Sequence, residues 1–162
     1  MNLSKLEQAL LAQGLSGLSP FERNELIIDI AQKEGIRDYN QITDEVLLNH
    51  HKKLKADYLV DSVEQDILGG FTSDVNGHSY RTNRDDQINM IGQKDELTAD
   101  ETIATVMWKT EDAGYVEHTR EDWLLIYREA FSNKKAKLMK YNTLKEQSSN
   151  ATTDAELVAV QW

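Results

Sequence analysis

Apolar positions recur along most of this chain at helical spacing, and two short stretches alternate instead. Leu3, Leu6, Ala9 and Leu10 fall on one face at three- and four-residue intervals and predict a helix from about Ser4 to Gln13, with Gly14 and Gly17 marking its end. Ser19-Pro20 reads as an N-cap followed by proline at the first helical position. Leu26, Ile27, Ile30 and Ala31 form the inner stripe of this second helix, which runs to about Glu34, and Gly35 follows it. Thr43 caps a third helix, with Asp44 and Glu45 in its first turn, that continues to Leu68 before Gly69-Gly70. Its seam is Val46, Leu47, Leu54, Leu59, Val63 and Ile67, interrupted at His50-His51-Lys52-Lys53. A seam this long either lies across its own domain or faces another chain.

From Phe71 the pattern changes. Phe71 to Thr82 carries Asn76-Gly77 between two partly alternating runs. That is a hairpin signal, because a two-residue turn there needs positive φ at both positions. Thr82 or Asn83 caps a fourth helix from Arg84 to about Gln93, with Ile88 and Ile91 pointing inward and Met90 assisting. Thr98-Ala99-Asp100-Glu101 matches a capping box and predicts one short helical turn. Ile103 to Lys109 has strand character, Glu111 to Gly114 is a turn, and Tyr115 to His118 returns as a second strand. Thr119 caps the longest helix, with Asp122 in its first turn. Its core face is Trp123, Leu124, Ile126, Tyr127, Ala130, Phe131, Leu138, Met139 and Leu144, and Ser148-Ser149-Asn150 breaks it. Thr153 caps a last short helix holding Leu157 and Val158. The fold expected is α+β: a helical segment over residues 1–40, then a domain over 41–162, entered by a long helix and built of two β-hairpins packed with long helices.

Composition narrows the class. At 162 residues, 40% apolar and 28% charged, the chain holds one ordinary domain, or a small domain with a helical extension. No apolar run reaches the roughly 18 residues a membrane span needs. The start, Met1 to Leu6, lacks the cationic stretch and apolar core of a secretory signal. Zero cysteines remove disulfide and thiol chemistry and fit a reducing compartment. A net charge of −10 argues against nucleic acid as a partner. The lysines at 134, 135, 137, 140 and 145 stand late in a helix whose first turn is acidic, as the helix dipole favours.

Residue chemistry offers no catalytic motif. His50 and His51 are adjacent and so point about 100° apart on a helix, which prevents them from sharing a metal as an i,i+4 pair would. His78 follows the Asn-Gly turn, and nothing in the spacing joins it to His118. The acid pairs Asp85-Asp86 and Glu121-Asp122 sit where first helical turns attract carboxylates. Neither a serine nucleophile elbow nor a phosphate loop occurs. Trp108 and Trp123 read as core anchors; Trp162 suits either a core or an interface. No catalytic, cofactor-binding or metal-binding residue is expected.

An ordered series of segments carries the functional reading. The hairpin with Phe71, Asn76-Gly77-His78 and Tyr80 is followed by Thr82 to Asn89, Val106 to Asp112, Val116 to Thr119 and Asn150 to Leu157. Over about residues 50–162 this series resembles an uncharacterised domain family found in bacteriophage tail-fibre and baseplate-region proteins. The resemblance implies a structural, non-enzymatic virion tail component, made in the host cytoplasm. Its partners would be other tail, fibre or baseplate proteins, with self-association through helix 43–68, and residues 1–40 would serve as a docking segment. Two other readings compete: a tail-fibre assembly chaperone absent from the finished particle, and an enzyme acting on cell-wall glycan.

Overall fold

The caps expected from sequence build most of the helices. A computed structural model describes residues 2–162; Met1, first residue of the expected docking segment, lies outside them. Ser4 caps α1 (Lys5–Gly17) and Ser19 caps α2 (Pro20–Glu34). In each, the serine hydroxyl accepts from the N–H of a glutamate three residues on, whose carboxylate accepts from the serine N–H in return. Thr43 accepts from the Val46 N–H at 3.4 Å to open α3 (Asp44–Leu68). Next come β1 (Phe71–Thr72), β2 (Ser79–Tyr80), α4 (Arg84–Ala99), β3 (Thr105–Thr110), β4 (Gly114–Thr119), α5 (Arg120–Asn150) and α6 (Asp154–Ala159), the last opened by a capping box at Thr153. Each strand pair is a separate two-stranded antiparallel sheet. The fold is α+β, as the pattern implied.

The chain divides into two compact units. The first joins the residues up to Ser62 with Tyr141–Trp162. Leu10, Leu26, Ile30 and Leu47 are buried in its core, with Leu54 and Ile42 beside them. The expected boundary near residue 40 lies inside this unit. The second unit spans Val63–Lys140. Its core is Tyr80, Met90, Leu97, Val106, Trp123, Ile126 and Ala130. The Trp123 ring lies edge-on to Trp108 at 5.0 Å and stacks on Tyr127 at 6.1 Å.

The β3–β4 register pairs Val106 with His118 and Trp108 with Val116 on the inner face. Met107 faces Glu117, and Lys109 faces Tyr115, on the outer one. Arg120, first residue of α5, holds the end of α4: its guanidinium donates to the carbonyls of Leu97, Asp100 (3.0 Å) and Ile103 (3.3 Å).

Several expectations are corrected. α1 continues to Gly17, past a kink at Gly14 (φ 70°, ψ −179°). The Asn76-Gly77 turn is wider than two residues. Gly77 alone has positive φ, and a loop from Ser73 to His78 closes on the Ser73 N–H to His78 carbonyl bond of 2.9 Å. Local side-chain bonds, Val75 N–H to Ser73 Oγ and His78 N–H to Asn76 Oδ1, replace the tight turn. α4 does not stop near Gln93, and Thr98 starts no new helix. Leu97 is wholly buried and so holds the helix through Ala99, while Thr98 Oγ1 donates back to the Lys94 carbonyl. Ile88 and Ile91 are exposed, at 67% and 51%; Met90 and Leu97, seven residues apart, carry the inner face instead. On α5, Trp123, Ile126 and Ala130 are buried, whereas Phe131, Leu138 and Met139 are exposed. That helix includes Ser148-Ser149-Asn150 rather than ending before them.

Candidate functional site

Three of the exposed apolar residues of α4 and α5, Ile91, Phe131 and Leu138, line one groove, whereas Ile88, Leu125 and Met139 do not. Within the second unit, Met90 and Ile91 of α4 face Tyr127, Ala130, Phe131 and Leu138 of α5 across a groove of about 460 Å³. Ala130 and Phe131 lie one turn beyond Tyr127, and Leu138 two turns beyond Phe131, so these residues share one stripe along the helix. Phe131, 64% exposed, Ile91, 51%, and Leu138, 45%, are the large apolar side chains left open there. Ile67 and Thr82 also line it, and Thr82 Oγ1 donates to the Ile67 carbonyl at 2.5 Å.

Polar groups on the groove are few and of one sign. Gln87, Asn133, Lys134 and Lys135 are the remaining lining side chains besides Thr82; no carboxylate is among them. Lys134 Nζ donates to the neutral Gln87 amide oxygen at 2.5 Å. Lys137, two residues further on, is matched by Asp66 at 3.0 Å and also donates to the Asp66 and Gly70 carbonyls. The lysine turned toward α3 is therefore neutralised, and those at the groove are not.

A second polar constellation lies in the core of the first unit. The ψ of Gly14 turns the Leu15 N–H away from its regular helical acceptor, and that N–H donates to Asp154 Oδ2 at 2.6 Å. The regular acceptor would be the Leu11 carbonyl, which accepts from Lys55 Nζ at 3.5 Å; Lys55 also reaches the Val160 carbonyl at 3.1 Å. His51 Nδ1 lies 2.6 Å from the other Asp154 oxygen, which places the imidazole proton on Nδ1. His51 Nε2 has no hydrogen-bond partner and His51 is wholly buried. Burial holds His51 below its ordinary value of 6.5, against the opposing pull of Asp154, and lowers Lys55 as well. His51, Lys55 and Asp154 thus repair a broken helix. Nothing in the sequence around His51 announced this, because its partner stands at the far end of the chain.

The other singled-out residues have structural partners. His78 Nδ1 is 2.8 Å from Asp112, which also accepts from the Ser79 N–H at 2.9 Å. The His78 bond pulls the Asp112 carboxyl below its usual range. His118 is buried, with Nε2 3.3 Å from the Tyr80 hydroxyl, and that hydroxyl accepts from Asn76 Nδ2 at 2.8 Å. His50 is half-buried, its imidazole lowered first by burial and then by Lys33. Asp86 pairs with Arg81 at 2.8 Å, while its neighbour Asp85 is exposed; Glu121 and Asp122 occupy the first turn of α5. Among the described residues, no three His, Asp or Glu side chains are gathered in the way a metal ion requires. Among those same residues, no helix is long and apolar enough to cross a membrane.

Residues 50–161 match the model of a family described as a domain of unknown function, DUF4376. The span agrees with that of the resemblance seen in the sequence. No curated protein and no solved structure matches the chain. Helices α1 and α2 precede the matched region, which takes in His51, Lys55, Asp154 and every residue of the groove. The chain therefore belongs to the DUF4376 family, an uncharacterised domain family.

Proposed function

We propose that this chain is a structural, non-enzymatic component of a bacteriophage tail, associated with the fibre or baseplate and working through protein–protein contacts. The tail context rests on the resemblance of the ordered segments between Phe71 and Leu157 to a domain of tail-fibre and baseplate-region proteins. The observation that carries the contact function is the apolar stripe of Phe131 and Leu138 opposite Ile91, left open to solvent. Leaving such a stripe uncovered is unfavourable unless something docks on it. Two buried or partly buried titratable groups are held by the fold: Asp154 at a helix kink, and His118 beside Tyr80. Contacts to other tail proteins are part of this reading, as is residence in the virion after synthesis in the host cytoplasm. The seam of helix 43–68 is buried within this chain at Leu47, Leu54, Leu59 and Val63, so contacts between copies through that helix would have to use its outer face.

A tail-fibre assembly chaperone is the second reading. An open apolar groove equally suits a partner that is held and then released. Deleting the gene from the phage that encodes it, and imaging the particles by electron microscopy, tests both. Aberrant or missing tails, restored by the intact protein, support a role in the tail. Normal, infectious tails without it overturn both readings.

A further inference from the structure

We infer that the α4–α5 groove receives an amphipathic helix from a partner protein, one whose apolar face is flanked by carboxylates. This deepens the contact function proposed above, on which it rests, by naming the chemistry of the occupant.

Shape supplies the first argument. The floor is a single helical stripe on α5 walled by α4, long enough to take side chains spaced at i, i+3 or i+4, and i+7 from an incoming helix. Charge supplies the second. The chain carries 28 acidic residues against 18 lysines and arginines, yet among the described residues Lys134 and Lys135 are the only charged ones lining this groove. Lys137, facing Asp66, shows how the fold neutralises a lysine that it needs for itself. Lys134 meets only a neutral amide, and Lys135 is exposed at the rim. An incoming helix with glutamates beside its apolar face would bury its apolar residues between α4 and α5 and set those glutamates against the two lysines. A basic helix would meet like charge at the same rim.

The probe is a designed peptide of about 18 residues, some five helical turns, with leucines at helical spacing and glutamates on both flanks, labelled for fluorescence anisotropy against the full chain. A matched peptide with lysines in place of the glutamates is the comparison. The acidic peptide is expected to bind at least about tenfold more tightly than the basic one at low salt. The double variant Lys134→Glu, Lys135→Glu is expected to reverse that order. Phe131→Asp, at an exposed position, is expected to remove binding of both peptides, with circular dichroism checking that its helix content is unchanged. Equal binding of the two peptides, no binding of either, or an order that survives the charge reversal overturns the proposal. Light scattering that shows the chain self-associating through this face, with loss of the oligomer in Phe131→Asp, also overturns it by making the occupant a second copy. Failure of the peptide test leaves the gene-deletion result standing, so the two readings fail separately.

Discussion

Asp154 serves two donors at once. It accepts from the Leu15 N–H where Gly14 interrupts α1, and from His51. Replacing it with alanine strips both donors of their acceptor. Asp154 itself is partly exposed, but His51 is wholly buried, and the cost of leaving it unpaired dominates. Asp154→Ala is expected to lower stability by about 1–3 kcal/mol in urea unfolding, whereas Asp154→Asn, which keeps an acceptor oxygen, is expected to lose less. The histidines give the fold a pH dependence. Burial lowers the imidazoles of His50, His51 and His118 below 6.5. Below 6.5 the unfolded chain therefore binds protons more readily than the folded one. The neutral histidines contribute fully above 6.5, and stability falls as pH drops from there through their lowered folded values. The urea midpoint is expected to be flat just above neutrality and to decline below 6.5; a midpoint that rises on acidification in that window would contradict the assignment. The lowered carboxyls of Asp112 and Glu156 add a further loss at lower pH.

At the scale of elements, two glycines make opposite predictions. At Gly14 a Cβ would stand 2.0 Å from Asp154 Oδ2 at a φ of +70°. Gly92 lies inside α4, and a Cβ added there would meet nothing within 4 Å. Gly14→Ala is expected to destabilise and to break the Asp154 contact, whereas Gly92→Ala is expected to stabilise by about 0.5–1 kcal/mol. Thermal melts of the two variants check this directly. Elements were legible in the sequence wherever their cause is local. Ser19, Asn83 and Thr153 cap the helices they precede, because a cap needs only its own next three residues. Helix faces were less legible. Ile88 and Ile91 are as apolar as a core position requires, but which stripe turns inward depends on what packs against α4, and that is decided by Trp123 and Val106 far along the chain. The false helix start at Thr98 has the same origin: Arg120 and buried Leu97 carry α4 through it.

At the scale of the molecule, the division into units follows the return of the chain. Residues 141–162 belong with the N-terminal helices, and no local pattern near residue 40 or residue 141 marks that partnership. The groove had the same obscurity. Phe131 and Leu138 read as core residues on their helix, and only the packed structure shows that Trp123, Ile126 and Ala130 fill the interior without them. Surplus apolar residues on an otherwise well-filled helix are what distinguishes a contact surface from a core, and that distinction requires knowing what the core already holds.

Under the proposed reading a phage encodes this chain, and quantitative mass spectrometry of that phage's purified particles tests the tail role most directly. A resident structural component is expected at a fixed copy number relative to the major tail proteins, unchanged by washing in high salt. Particles with complete tails that contain none of it would contradict that account.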